Sequence, residues 1–267
     1  MPSIRKNPAL PMTGDKACAR RRLLPAERER QIVEGAVRFF SEHGLDGQLR
    51  DLARKLGITH TLLYHYFPTK QALLERVYSD LFAGRWRSSW EGLLDDKNLD
   101  VATKLTRFYT EYAQLILERD WVRVFVFSGL SDHFITDRYF ALLGEKLFPR
   151  LVRESRRYLG RANRGKPSAR ELELIMGLHG SIFYMGMRRW VYGHAVHDSK
   201  TEPFDEVFIH DRVRGYLRSL EGVATPGVVR VSRAAPGIEI VRPPSGPKSR
   251  LRSRSKPVEE ISPWPMH

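Results

Sequence analysis

At 267 residues, 42% hydrophobic and 10% aromatic, the chain has material for one large or two modest globular domains. Its single cysteine excludes an intrachain disulfide or a multi-cysteine zinc site, no apolar run approaches the ~18 residues of a membrane span, and no apolar signal segment is evident; the expected setting is the cytoplasm, away from membranes. The net charge of +14 is concentrated at the ends, with five net positive charges in residues 1–25 and five in 222–267, so the part between is only mildly basic.

Residues 1–24 carry three prolines and the cluster Arg20-Arg21-Arg22, and are expected to form a disordered basic arm. Such an arm either lies along DNA phosphates or merely aids solubility. Pro25 suits the first turn of a helix, and Ile32, Val33, Ala36, Val37, Phe39 and Phe40 give that helix a broad apolar stripe ending at Gly44. Leu45 is expected to cover the join. Leu49, Leu52, Ala53 and Leu56 then fall at i, i+3, i+4 and i+7, one apolar face of a short helix. Gly57 stands where the chain must turn, Ile58 offers an apolar plug, and the Thr59 hydroxyl can cap a second helix. That helix is predicted from about His60 to Phe67 and ends at Pro68. Leu63 and Phe67 face inward, which leaves His60, Thr61, Tyr64 and His65 on the outer side. Two short helices joined by a glycine-containing turn make a helix-turn-helix, whose second helix enters the DNA major groove. An ordinary amphipathic pair with a wet face is the alternative, and the combination of Ala53, Gly57, cap, leucine and proline argues against it.

The residues Phe39-Phe40, Gly44-Leu45, Leu52-Ala53, Gly57-Ile58 and Leu63-Tyr64-His65-Tyr66-Phe67-Pro68-Thr69-Lys70 resemble the N-terminal domain of tetracycline-repressor (TetR) type transcription regulators. The resemblance spans roughly residues 26 to 80, and beyond it only helical character and length match. It implies double-stranded DNA as partner, a homodimer, a small-molecule effector and a phosphate contact at Lys70. Gln48, where the family often has Thr or Ser, and Leu62, where a small or hydroxylated residue is commoner, depart from the pattern. The DNA-contacting candidates are therefore Gln48, Thr59, His60, Thr61, Tyr64, His65 and Lys70. Lys70 in a helix's first turn opposes the helix dipole unless an anion sits there, as free amides at a helix start favour.

Thr69 is expected to cap a helix running through Leu73, Leu74, Val77, Tyr78, Leu81 and Phe82 toward Trp90, followed by a loop at 91–98. Helical spacing resumes at Val101 to Ile116. The apolar stretch Trp121 to Leu130 reads as a buried helix, and a span from Thr136 is kinked or split at Pro149. After a polar loop at 160–167, Ser168 with Glu171 forms a capping box that opens a long helix through Trp190. A last helix is predicted from Phe204 to Leu220, and 222–267 is a proline-rich, Ser-Arg tail expected to be disordered. The predicted fold is all-α: an N-terminal three-helix helix-turn-helix domain over 25–68, then a helical ligand-binding and dimerisation domain over 69–221.

The resemblance implies that the last two long helices pair with their copies, with Gly177, Gly180 and Gly186 permitting close approach. It also implies an effector pocket, for which Phe108, Tyr112, Phe125, Tyr139, His179 and Phe183 are the candidates; plain core packing is the competing role for each. His194, His197 and Asp198 do not make a convincing metal site, since no cysteine or second cluster accompanies them. No nucleophile elbow, phosphate-binding glycine loop or paired carboxylate appears, so neither an enzyme nor a cofactor is expected. The expected function is a ligand-responsive, sequence-specific transcription regulator, commonly a repressor, bound to a palindromic operator. The rivals are a sequence-indifferent nucleic-acid binder using its basic ends, and a helical-bundle enzyme or carrier.

Overall fold

A computed structural model describes residues 24–194 and 204–224, with only the backbone at 222–224. The expectations for the basic arm, most of the C-terminal tail, and His197 and Asp198 lie outside the described residues. Within them every regular element is helical, as the apolar periodicity predicts.

Helix α1 spans Pro25–His43, with proline in its first turn and the Glu27 carboxylate accepting from the Leu24 amide. Gly44 ends it with φ of +81°, a left-handed value that a side chain would resist. Helices α2 (Leu49–Lys55) and α3 (His60–Tyr66) follow, then α4 (Lys70–Leu81). The sequence reading carries α4 on toward Trp90; instead it stops at Leu81 and gives way to a 3₁₀ turn at Ala83–Arg85. Gly84 marks the break, where a Cβ would come within 2.8 Å of the Ser79 carbonyl oxygen. Arg85 fastens the bend by donating to the Leu115 carbonyl at 2.9 Å and to Glu118 at 2.5 Å. The new direction lets α5 (Ser88–Asp95), which occupies part of the expected 91–98 loop, bury Trp90 completely against Phe108 and Tyr112. Burial of so large a ring outweighs the continuation of one helix.

The remaining helices are α6 (Val101–Ile116), α7 (Arg119–Gly129), α8 (Phe134–Lys146), α9 (Phe148–Tyr158), α10 (Ala169–Trp190) and α11 (Glu206–Ala224). Asp100 caps α6, Pro149 lies in the first turn of α9, and both halves of the Ser168–Glu171 capping box are present. The last helix runs four residues beyond the expected Leu220. Helix α6 packs along α11, and α10 packs against α7, α9 and α11. Helix α1 lies across α7 and α4, which fixes the helix-turn-helix to the larger bundle. Gly186 serves that bundle from within: a Cβ there would sit 3.0 Å from Val122 and 3.2 Å from Leu117. It is therefore occupied inside the subunit, and of the three glycines read as an interface only Gly177 and Gly180 face open space.

Candidate nucleic-acid interface

Helix α2 ends through backbone bonds that only a left-handed residue permits. The Ile58 amide donates to the Ala53 carbonyl at 3.0 Å and the Gly57 amide to Arg54 at 3.1 Å, with Gly57 at φ +64°. Gly57→Ala is therefore expected to cost about 1–2 kcal/mol from backbone strain alone. Nothing lies within 4 Å of a Cβ built there, so sterics add nothing. Urea denaturation of the full chain measures it, and a neutral result would refute the strain. The Thr59 hydroxyl then accepts from the Leu62 amide at 3.1 Å and opens α3. Leu63 is fully buried, Phe67 nearly so, and Ala53 sits in the tight crossing at 2% exposure.

This arrangement turns the polar side of α3 outward. His60, Thr61 and His65 are exposed, and Tyr64 is 39% exposed with its ring edge-on to His60 at 4.5 Å. Tyr66, absent from the sequence-based candidates, is half-exposed beside His65 at 5.4 Å. Gln48 is exposed at the start of α2 and its side chain makes no cap, while its carbonyl accepts from the Asp51 and Leu52 amides. Thr69 accepts from the Ala72 amide at 3.0 Å, and Lys70 occupies the first position of α4, without an ion pair among the described residues. All seven DNA-contacting candidates thus sit on α3 or at the starts of α2, α3 and α4.

Gly35 went unread in the sequence. A Cβ on it would overlap the Leu56 side chain, so a glycine in the middle of α1 admits the last apolar residue of the α2 face.

The six effector candidates also come together, in an aromatic core at α6, α7, α8 and α10. The Tyr112 hydroxyl lies 2.9 Å from that of Tyr139 and 3.4 Å from the Nε2 of His179. Phe108 packs 5.6 Å from Tyr112, and Phe125 lies 5.4 Å from Phe183 and 5.8 Å from Tyr139. Trp121, which the sequence reading placed only in a buried helix, joins the groups at 5.1 Å from Tyr139 and 6.2 Å from Phe183. Burial pushes His179 down to about 4. An unfolded chain takes up this proton below ~6.5, so His179 withdraws stability as pH falls from there toward 4, on the order of 3 kcal/mol in all. Urea midpoints of wild type and His179→Phe between pH 7 and 4 are expected to diverge, the variant losing less with acid; parallel profiles would remove this role. Among the described residues, no group of three acidic, His or Cys side chains is placed to hold a metal.

An outward polar edge on the second of two helices crossed at a glycine turn defines a helix-turn-helix DNA-binding protein. Residues 32–77, which contain both helices of the helix-turn-helix, match the profile of the bacterial regulatory proteins of the tetR family. The fold as a whole resembles a TetR-like transcriptional regulator from Rhodococcus sp. RHA1, with 18% identity, a TM-score of 0.52, and coverage of 76% of this chain and 99% of that one. It also resembles a tetR-family transcriptional regulator from Streptomyces coelicolor, with 16% identity, a TM-score of 0.51, and coverage of 76% and 83%. No curated protein matches the chain.

Proposed function

We propose that the chain is a cytoplasmic, ligand-responsive repressor that binds a palindromic operator as a homodimer. The observation that carries this is the α3 edge, where four hydrogen-bonding side chains project while Leu63 and Phe67 anchor the helix behind them. His60, Thr61 and His65 are assigned to base edges. Tyr64, Lys70, Gln48, Thr59 and the helix-start amides are assigned to phosphates, which set register. Among the described residues no helix is long and apolar enough to cross a membrane.

For the dimer, Glu173, Gly177, Gly180 and Tyr184 are exposed along one side of α10, and Val207 is 60% exposed on α11. Two such helices from each subunit make a four-helix contact. For the ligand response, α7 and α8 serve both sites. Arg123 of α7 donates to the Ser41 carbonyl of α1 at 2.6 Å and to the Trp190 carbonyl of α10 at 3.2 Å. Tyr78 of α4 donates to the Arg138 carbonyl of α8 at 3.1 Å. A ligand that favours one arrangement of α7 and α8 thereby biases the spacing of the two recognition helices, a population shift.

Selection of preferred sites from random DNA tests this reading. An inverted repeat with half-sites about one helical turn apart is expected, and the preference should persist after removal of residues 1–24 and 225–267. A preference that vanishes with the tails, or no consensus at all, would overturn it.

A further inference from the structure

We infer that the loop between α9 and α10 is a second, sequence-indifferent DNA site at the end of the bundle away from α1, where Arg161, Arg164, Lys166 and Arg170 hold the phosphates of a duplex other than the one on α3. The inference goes beyond the reading above and does not use the basic ends of the chain.

The mild charge of the folded part conceals a concentration. Residues 156–171 carry six cations, Arg156, Arg157, Arg161, Arg164, Lys166 and Arg170, against Glu171 alone. Glu171 is not free to offset them. Arg156, 7% exposed, donates to both of its oxygens at 2.7 and 3.1 Å, and this neighbour holds the carboxyl down at about 2. Arg157 is engaged by Glu154 at 3.3 Å and by the Lys97 carbonyl at 2.8 Å. Arg161, Arg164, Lys166 and Arg170 are exposed and form no ion pair among the described residues, even with Glu173 one turn further on.

The loop holds these four in a set shape. Arg156 also donates to the carbonyls of Arg164 at 3.0 Å, Gly165 at 3.1 Å and Lys166 at 3.2 Å, and to the Asn163 side chain at 3.3 Å. Gly160 and Gly165 take φ of +65° and +74°, and the Arg161 amide closes the end of α9 by donating to the Arg156 carbonyl at 2.8 Å. The anchors are backbone groups, Asn163 and Glu171, so the four charged side chains are left to solvent. A duplex presents one negative charge per ~1.7 Å, and closely spaced cations on a fixed arch suit it without reading bases. Residues 160–167 include no large apolar side chain, so nothing there would enter a bilayer or seat the apolar face of an acidic helix.

Position separates this site from the helix-turn-helix. The C-terminal end of α10 is tied to α1 through Arg123, which reaches both the Trp190 and the Ser41 carbonyls. The loop precedes the other end of α10, a helix of 22 residues and thus about 33 Å long. One unbent duplex seated on α3 therefore leaves the loop open to another.

In the test, the full chain is bound to an immobilised duplex carrying its selected site, washed, and offered a fluorescent duplex without that site. Wild type is expected to capture the second duplex, with affinity falling on the order of a hundredfold between about 50 and 200 mM salt, as four phosphate contacts imply. The quadruple variant Arg161→Ser, Arg164→Ser, Lys166→Ser and Arg170→Ser should weaken this capture at least tenfold, while its footprint on the selected site and its melting temperature stay near wild type. Arg161→Lys, Arg164→Lys and Arg170→Lys together should keep capture within about threefold, because the contact is one of charge. No capture by wild type would overturn the inference, including where the chain instead sediments with phosphatidylglycerol vesicles. Capture that persists in the serine variant would place it in the basic ends, and loss in the lysine variant would deny a site made by charge; either result overturns it. Should no selected site be found, two unrelated duplexes bearing donor and acceptor dyes read the same bridging by energy transfer, so the operator reading can fail while this site stands.

Discussion

Glu154→Leu is expected to destabilise the fold by about 3–5 kcal/mol, and Lys104→Met by less than half of that. The asymmetry comes from what each removal leaves behind. Lys104 is fully buried, and its ammonium donates to Glu154 at 2.8 Å and to the Leu94 carbonyl at 3.0 Å. Without Glu154, a buried charge keeps one neutral acceptor. Glu154 is better supplied: Arg153 donates to it at 3.1 Å and Arg157 at 3.3 Å, and both guanidiniums are partly solvated. Losing Lys104 leaves that carboxylate compensated. The double variant Lys104→Met with Glu154→Leu should recover much of the Glu154 loss, because no buried charge remains unpaired. Chemical denaturation of the three variants measures the cycle, and equal losses for the two single variants would show that the guanidiniums do not support Glu154.

The parts of this molecule that were readable in advance are those whose cause is local. The helix-turn-helix follows from a glycine that must take φ of +64°, a threonine that caps three residues ahead, and a proline that ends the second helix. Each acts within four or five residues of itself. The capping box at Ser168 was legible for the same reason. What escaped depends on partners distant in sequence. The stop at Leu81 is made by Arg85 reaching the end of α6 and by Trp90 finding Phe108, neither of which helical periodicity registers. Helix α8 is opened by Asp132, which accepts from the Phe134 amide at 3.1 Å, and by Ser128, whose hydroxyl accepts from the amides of Ile135 and Thr136 seven and eight residues on, a distant cap that no local pattern announces. Gly35 and Gly186 look like weak points of their helices until Leu56 and Leu117 are placed against them. The aromatic core was half legible. Phe108 with Tyr112 and His179 with Phe183 are pairs at i and i+4, so each pair shares a helix face. That the two faces meet, and that Trp121 packs against Phe183 with its indole nitrogen unpartnered, is a property of the packed bundle.

The second large effect is functional. Tyr64→Ala is expected to weaken binding to the selected DNA site at least ~tenfold while the oligomer and its melting temperature stay near wild type. Tyr64 is 39% exposed and its described ring contact is with His60, itself on the surface, so its removal takes little from the core. Its hydroxyl is assigned to a phosphate, and a hydrogen bond to a charged acceptor is worth about 1.5–3 kcal/mol. A symmetric dimer loses it twice. Salt dependence separates this contact from a charged one. Tyr64→Ala removes affinity without releasing fewer counterions, so the slope of log affinity against log salt should hold. Lys70→Ala removes one cation per subunit from the start of α4 and should flatten that slope by about 0.9 for each, or nearly two per dimer. A footprinting titration at several salt concentrations reads both quantities together. Unchanged affinity in Tyr64→Ala would remove the tyrosine from the interface, and a slope that falls equally in both variants would mean that a rearranged helix, not a lost contact, had been measured.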